Sequence, residues 1–188
     1  IYAGDSGTLD TWQKNLSEAL SLSPRHISCY LLQMEDEVPL ARRIHRGELE
    51  EASEDTAADM YCCTIETLSG AGYEQYEISN FARPGMACRH NLNYWQIGDY
   101  LGLGPGAVSF KLYPDSPHPS AARRWMNTPD LEAYLNSILD KGSPPRCELE
   151  SMNRRDLAAE AMMMGLRTTR GIAVDEFLER FGVDPWQE

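Results

Sequence analysis

His90 and Tyr94 stand four positions apart in the run His90-Asn-Leu-Asn-Tyr-Trp95. On a helix that spacing puts both on one face. Imidazole and phenolate can each ligate iron, haem iron included. The competing reading is architectural: His90 or Asn91 caps a helix while Tyr94 and Trp95 pack. The residues alone leave both open. Arg123-Arg124-Trp125 is a second constellation. Two guanidinium groups beside an indole suit a carboxylate, and the same triplet equally suits a solvated turn.

The stretch Tyr100-Leu-Gly-Leu-Gly-Pro-Gly-Ala107 is a third. A dinucleotide loop reads G-x-G-x-x-G between a strand and a helix. Gly102 and Gly104 match it, but Ala107 fills the third place. Pro105 removes a backbone N–H where a phosphate needs donors, and no amphipathic helix follows. Two readings remain: a close backbone wall for a flat ligand, or a turn. Glu74, Glu77 and Asp99 supply carboxylates that nothing pairs as acid and base. Glu48 to Asp55 reads as a solvated run, and Met162 to Met164 as core.

Cys29, Cys62, Cys63, Cys88 and Cys147 show neither C-x-x-C nor C-x-x-x-C-x-x-C spacing. Zinc and iron–sulfur frameworks within this chain are therefore unsupported. Buried, reduced thiols in a cytoplasmic protein are expected. Cys88, beside Arg89 and His90, is a candidate for a lowered thiol pKa.

These residues need elements to hold them. The 188 residues suit one ordinary domain, or one with an appendage, and 42% hydrophobic content supports a packed core. No apolar run is long enough for a membrane span. The net charge of −12 leaves no cationic excess for nucleic acid. Ile1 opens the chain with no signal-peptide pattern, and a piece of a longer protein is expected.

Along the chain, Ile1-Tyr2 reads as a strand remnant. Thr8 to Leu22 reads as a helix capped by Thr8, with Leu9, Trp12, Leu16, Ala19 and Leu20 at helical spacing. His26 to Met34 reads as a buried strand. Pro39 to Arg46 and Ser53 to Ala71 read as helices, the second capped by Ser53. Tyr73 to Ile78 reads as a third strand. This is α/β grammar with parallel neighbours, and it places Ala3-Gly4, Gln33 to Glu37 and Ser79-Asn80 at the carboxyl strand ends, where function gathers. Beyond Phe81 come a glycine-rich segment, a strand from Val108 to Tyr113, and a loop over Pro114 to Ser120. Next are a helix opening on Pro129, a linker from Gly142 to Cys147, and helices over Ser151 to Thr168 and Asp175 to Phe181. The expected segments are 1–113, 114–145 and 146–188.

Three stretches are familiar together: Glu74-Gln-Tyr-Glu-Ile-Ser-Asn-Phe-Ala-Arg-Pro-Gly85, Cys88-Arg-His-Asn-Leu-Asn-Tyr-Trp95 and Asp99-Tyr-Leu-Gly-Leu-Gly-Pro-Gly-Ala107. They resemble the oxygen-independent coproporphyrinogen III oxidase-like family of radical S-adenosylmethionine (SAM) proteins, in particular its HemW-type haem-chaperone branch. Pro39 to Arg43, Asp55 to Tyr61 and Ala158 to Gly171 agree. The resemblance implies an α/β fold: the C-terminal part of an incomplete (β/α)6 radical-SAM barrel plus a small C-terminal helical domain. It implies SAM and a 4Fe–4S cluster in the full-length parent, with the cluster thiolates in an N-terminal half not present here. By motif matching, Ile1, Leu31 and Val108 flank SAM, and His90 and Tyr94 fall in a segment proposed for haem contact. Two departures stand out. Ala3-Gly4-Asp5-Ser6-Gly7-Thr8 stands where the family usually reads Gly-Leu-Pro-Gly-Gln-Thr, so the Leu-Pro-Gly-Gln portion is altered, and Val108 replaces a usual His. The expected partners are haem or porphyrin and the missing half-barrel, with self-association through an open sheet edge as a further expectation. The leading expectation is haem binding and delivery. The alternatives are a true oxidase that decarboxylates propionates and a cofactor-free partner-binding module.

Overall fold

The computed structural model describes residues 1–4, 7–33, 38–50, 52–113 and 121–184. The expectations for the loop at 114–120 and for the strand end at 34–37 lie outside the described residues. Two compact units make up the chain, Ile1–Cys88 and Arg89–Glu188.

The first unit holds α1 (Leu9–Ser21), β1 (His26–Ser28), α2 (Pro39–His45), α3 (Glu54–Gly70), β2 (Glu74–Gln75) and β3 (Asn80–Ala82). Thr8 and Ser53 cap α1 and α3 as the sequence predicts, accepting from the N–H groups of Thr11 and Thr56. Trp12 and Leu16 of α1 join Met60 and Leu68 of α3 in a core with Tyr2, Cys29, Tyr73 and Phe81. The Trp12 indole donates to the buried Thr64 hydroxyl at 2.8 Å, tying α1 to α3.

The strand pairing differs from expectation. The sheet runs β1-β3-β2, and both pairings are antiparallel. Among the described residues, parallel pairing is confined to a bridge between Tyr2 and Leu31, where the Tyr2 N–H donates to the Tyr30 carbonyl at 2.9 Å and the Leu32 N–H to the Tyr2 carbonyl at 3.0 Å. The apolar run from His26 thus serves two partners in turn. Its first three residues pair with β3, and its later part meets Tyr2. A tight turn at Tyr76 to Ser79 reverses the chain between β2 and β3, so of the strand expected over Tyr73 to Ile78 only Glu74–Gln75 is strand, and β3 lies beyond it.

The second unit holds α4 (Arg89–Trp95), β4 (Val108–Leu112), β5 (Ala122–Asn127), α5 (Leu131–Lys141), β6 (Arg146–Met152), α6 (Arg154–Gly165) and α7 (Val174–Phe181). β4, β5 and β6 form an antiparallel meander with an irregularity at Arg124/Trp125. Phe110, Ala122 and Met152 from the sheet pack with Ile97, Leu157, Ala158, Phe177 and Phe181.

Further expectations are corrected here. Arg123 to Trp125 is strand, not turn, because β5 is paired on both sides. The linker read over Gly142 to Cys147 and the helix start read at Ser151 give way to β6, and Asn153 then caps α6 by accepting from Arg155 and Asp156. Asp130, not Pro129, opens α5, since its carboxylate accepts from the Ala133 N–H at 3.0 Å. One sheet crosses the expected segment boundaries at 113/114 and 145/146, because β4 precedes both boundaries and β6 follows them.

Candidate functional site

The glycine-rich segment explains how the second unit builds its site. Tyr100 and Phe110 form an antiparallel bridge, with N–H to carbonyl distances of 3.0 and 2.9 Å. The loop therefore folds back on β4. A Cβ at Gly102 would lie 2.3 Å from the Val108 carbonyl oxygen, so only glycine fits there. Gly104 and Gly106 take positive φ values of 107° and 68°. The Gly102 N–H donates to Ser109 Oγ at 2.9 Å, and Asn127 Nδ2 donates to the Gly102 and Gly104 carbonyls at 3.2 and 3.0 Å. The close approach these glycines permit is to the chain's own backbone.

That fold-back sets an aromatic row. The His90 and Tyr94 rings meet edge to face at 4.9 Å, as helical spacing predicts. Tyr94 continues to Tyr100 at 4.5 Å, and Tyr100 stacks on Phe110 at 5.8 Å. The row borders a cleft of about 320 Å³ lined by Tyr94, Ile97, Gly98, Tyr100, Phe110, Arg124, Glu160 and Met164. His90 and Tyr94 are both exposed, and Tyr94 is the one of the two that lines the cleft.

Arg124 closes the far side. Its guanidinium lies 5.1 Å from the Phe110 ring centre, pairs with Glu150, and reaches Glu160 at 2.5 Å. Burial works against its charge, yet hydrogen bonding with Tyr100 and Glu160 outweighs this and raises its pKa above the ordinary arginine value. Two carboxylates already hold this cation, so it fixes the cleft wall rather than offering a free charge.

Two further groups hold the row in place. Asp99, next to Tyr100, accepts from the Leu112 N–H at 2.7 Å and pairs with Lys111. Burial opposes its ionisation, but these hydrogen bonds prevail and lower its pKa. Arg180 of α7 donates to the Gln96 and Ile97 carbonyls at 2.8 and 2.9 Å, satisfying the chain end of α4.

The remaining predicted residues lie elsewhere. Val108 opens β4, half-buried opposite Met126. In the first unit, Ile1 is 77% exposed and Leu31 is 44% exposed, on neighbouring segments joined by the Tyr2–Leu31 bridge. Ile1 lines a cleft of about 360 Å³ with Tyr2, Ala3, Gly4, Gly7 and Trp12 among its walls. Behind this strand end, Glu77 and Asn80 are buried. Glu77 accepts from the Ser79 N–H at 3.1 Å and from Asn80, and Asn80 in turn accepts from the Ser28 hydroxyl at 2.5 Å. The structure brings His90 and Tyr94 together, and Ile1 near Leu31.

Sequence reasoning missed Tyr100, Phe110 and Arg180 as site residues. A run of aromatics flanking glycines was the available signal for the first two. Nothing local marks Arg180.

Comparison with known proteins agrees with this architecture. The family described as HemN C-terminal domain matches residues 152–188. The heme chaperone HemW of Lactococcus lactis subsp. lactis is 32% identical over 181 residues, covering 96% of this chain and 45% of that protein. The heme chaperone HemW of Synechocystis is 35% identical over 165 residues, covering 88% of this chain and 38% of that protein. Among solved structures, the radical SAM enzyme coproporphyrinogen III oxidase (HemN) from Escherichia coli has the same fold, with a TM-score of 0.72 at 17% identity. The match covers 97% of this chain and 42% of that one. The chain thus spans less than half the length of these relatives. Along nearly its full length the chain is thus similar in sequence to HemW heme chaperones, and its residues 152–188 match the HemN C-terminal domain family.

Proposed function

We propose that this chain is the haem-holding part of a haem-binding and haem-delivering radical SAM protein. The observation that carries the reading is the exposed His90–Tyr94 pair at the head of the Tyr94–Tyr100–Phe110 row. His90 and Tyr94 offer iron an imidazole or a phenolate. The Tyr94 and Tyr100 rings, 4.5 Å apart and tilted to each other, offer the macrocycle apolar contact. α4 orients the donors, and Arg180 holds its end in place. Haem bound here supplies iron coordination chemistry, and the protein supplies position.

The residues present do not fit an iron–sulfur cluster. Cys29 is buried, Cys62 and Cys147 are exposed, and no group of three or more His, Cys, Asp or Glu side chains among the described residues is arranged to hold a metal. Any cluster belongs to the N-terminal half of the parent, which would also complete the barrel. In the first unit, Ile1 and Leu31 fit an apolar border for SAM, both being exposed beside the Tyr2–Leu31 bridge. The outer strands β1 and β2 are the edges that the missing half, or a second copy, would cover.

Haemin titration into the purified chain tests the haem site. A Soret shift is expected, weakened at least tenfold by His90→Ala or by Tyr94→Phe. Identical spectra for wild type and both variants would remove the haem role. Conversion of coproporphyrinogen III by the full-length parent, under anaerobic reducing conditions, would favour the oxidase reading instead.

A further inference from the structure

The β4–β5–β6 sheet has a second face that the aromatic cleft does not use. Alternate residues of a strand share a face. Arg124 therefore points one way, to Glu150 and Glu160, while Arg123 and Trp125 point the other. On that other face Tyr113, Arg123, Trp125, Arg146 and Glu148 line a cleft of about 340 Å³.

Its chemistry is that of an anion receptor. Arg146 lies 5.6 Å from the centre of the Trp125 ring and forms no ion pair among the described residues. Arg123 meets Glu148 at 3.9 Å, the outer limit of an ion pair, and both side chains are about half exposed (44% and 55%). A contact of that kind holds its cation weakly, so an incoming oxyanion can replace it. The Trp125 Nε1–H is buried and lacks an acceptor among the described residues. An unpartnered buried donor is costly. In a chain of net charge −12, two cations against one carboxylate among the described lining residues make a locally positive cleft.

We propose that this cleft binds a small ligand bearing two or more carboxylate or phosphoryl oxygens. Arg123 and Arg146 form the fork, and Trp125 forms the floor. Guanidinium groups match planar or tetrahedral oxyanions in bidentate fashion. The site is independent of the haem reading, since it shares no residue with the aromatic row.

The test titrates the 188-residue chain with citrate and, separately, with inorganic pyrophosphate, at constant ionic strength. Tryptophan fluorescence and calorimetry are the readouts. A saturable signal is expected with at least one probe, and its fluorescence component is expected to vanish in Trp125→Phe. Arg146→Gln and Arg123→Gln should each weaken binding at least tenfold. Arg146→Lys should fall between Arg146→Gln and wild type, because the charge stays and the fork is lost. Binding of citrate alone identifies a carboxylate ligand, binding of pyrophosphate alone a phosphorylated one, and binding of both a general oxyanion receptor. Far-UV circular dichroism checks that each variant is folded, and His90→Ala should bind the probes as wild type does. No saturable signal with either probe, or wild-type affinity in both glutamine variants, overturns the proposal.

Discussion

Cys29 sits in the first unit's core against Tyr2, Met60 and Phe81, and burial pushes its thiol up to about 11. An acid whose folded pKa exceeds its unfolded value keeps its proton longer in the native state. The unfolded chain then loses protons first as pH rises, and stability falls with it. The stabilising contribution is whole below about pH 9 and disappears through about pH 11. Tyr2, whose pKa burial also raises, acts in the same direction. The urea midpoint of the wild type should therefore drop between pH 8.5 and pH 10.5, and Cys29→Ala should show a shallower drop. An equal drop in both would mean that Cys29 is not the responsible group. At this same scale the His90–Tyr94 contact was legible in advance, because a helix fixes which residues four apart can touch. Arg124 was not. Its triplet looked like a turn, and only the pairing of β5 sends neighbouring guanidinium groups to opposite faces.

The elements owe their positions to a few cross-connections. α4 is only seven residues long, too short to be stable by propensity alone. Arg180 from α7 caps its far end through two carbonyls, with Ile97 in the left-handed region at φ 54°. Burial lowers the pKa of Arg180, and its hydrogen bonds go to backbone rather than to a carboxylate. Arg180→Met keeps the apolar stem and removes both hydrogen bonds. It is expected to weaken haemin binding several-fold without touching the ligand, while the spectrum of the bound form stays that of wild type. A changed bound spectrum would show instead that Arg180 reaches the iron site. Helix positions were mostly readable from spacing and caps, as with Thr8 and Ser53. β6 was overlooked because its alternation, Cys147-Glu-Leu-Glu150, is short, and it becomes a strand by pairing with β5.

At the scale of the molecule, each of the two units has its own core, and neither core cluster takes a residue from the other unit. Stability losses in one core should therefore stay local. Thr64→Val removes the acceptor of the Trp12 indole at unchanged volume. The cost is about 1–3 kcal/mol for an unsatisfied buried donor. Hydrogen exchange should accelerate for amides of α1 and α3, while those of β4 to β6 exchange as in wild type. Acceleration throughout would mean that the two units unfold as one. No helix among the described residues is long and apolar enough to cross a membrane.

The sequence by itself determined most of the helices, the Thr8 and Ser53 caps, the His90–Tyr94 pair and the family resemblance, because each depends on residues near one another in the chain or on contiguous motifs. Tertiary structure alone decided the antiparallel turn of β1 onto β3, the fold-back that sets Tyr100 on Phe110, the anchoring of α4 by Arg180 and the two-faced sheet around Arg123 and Arg124. Those outcomes rest on pairings between distant segments, where one register or another reverses which side chains meet, and no local pattern encodes that choice.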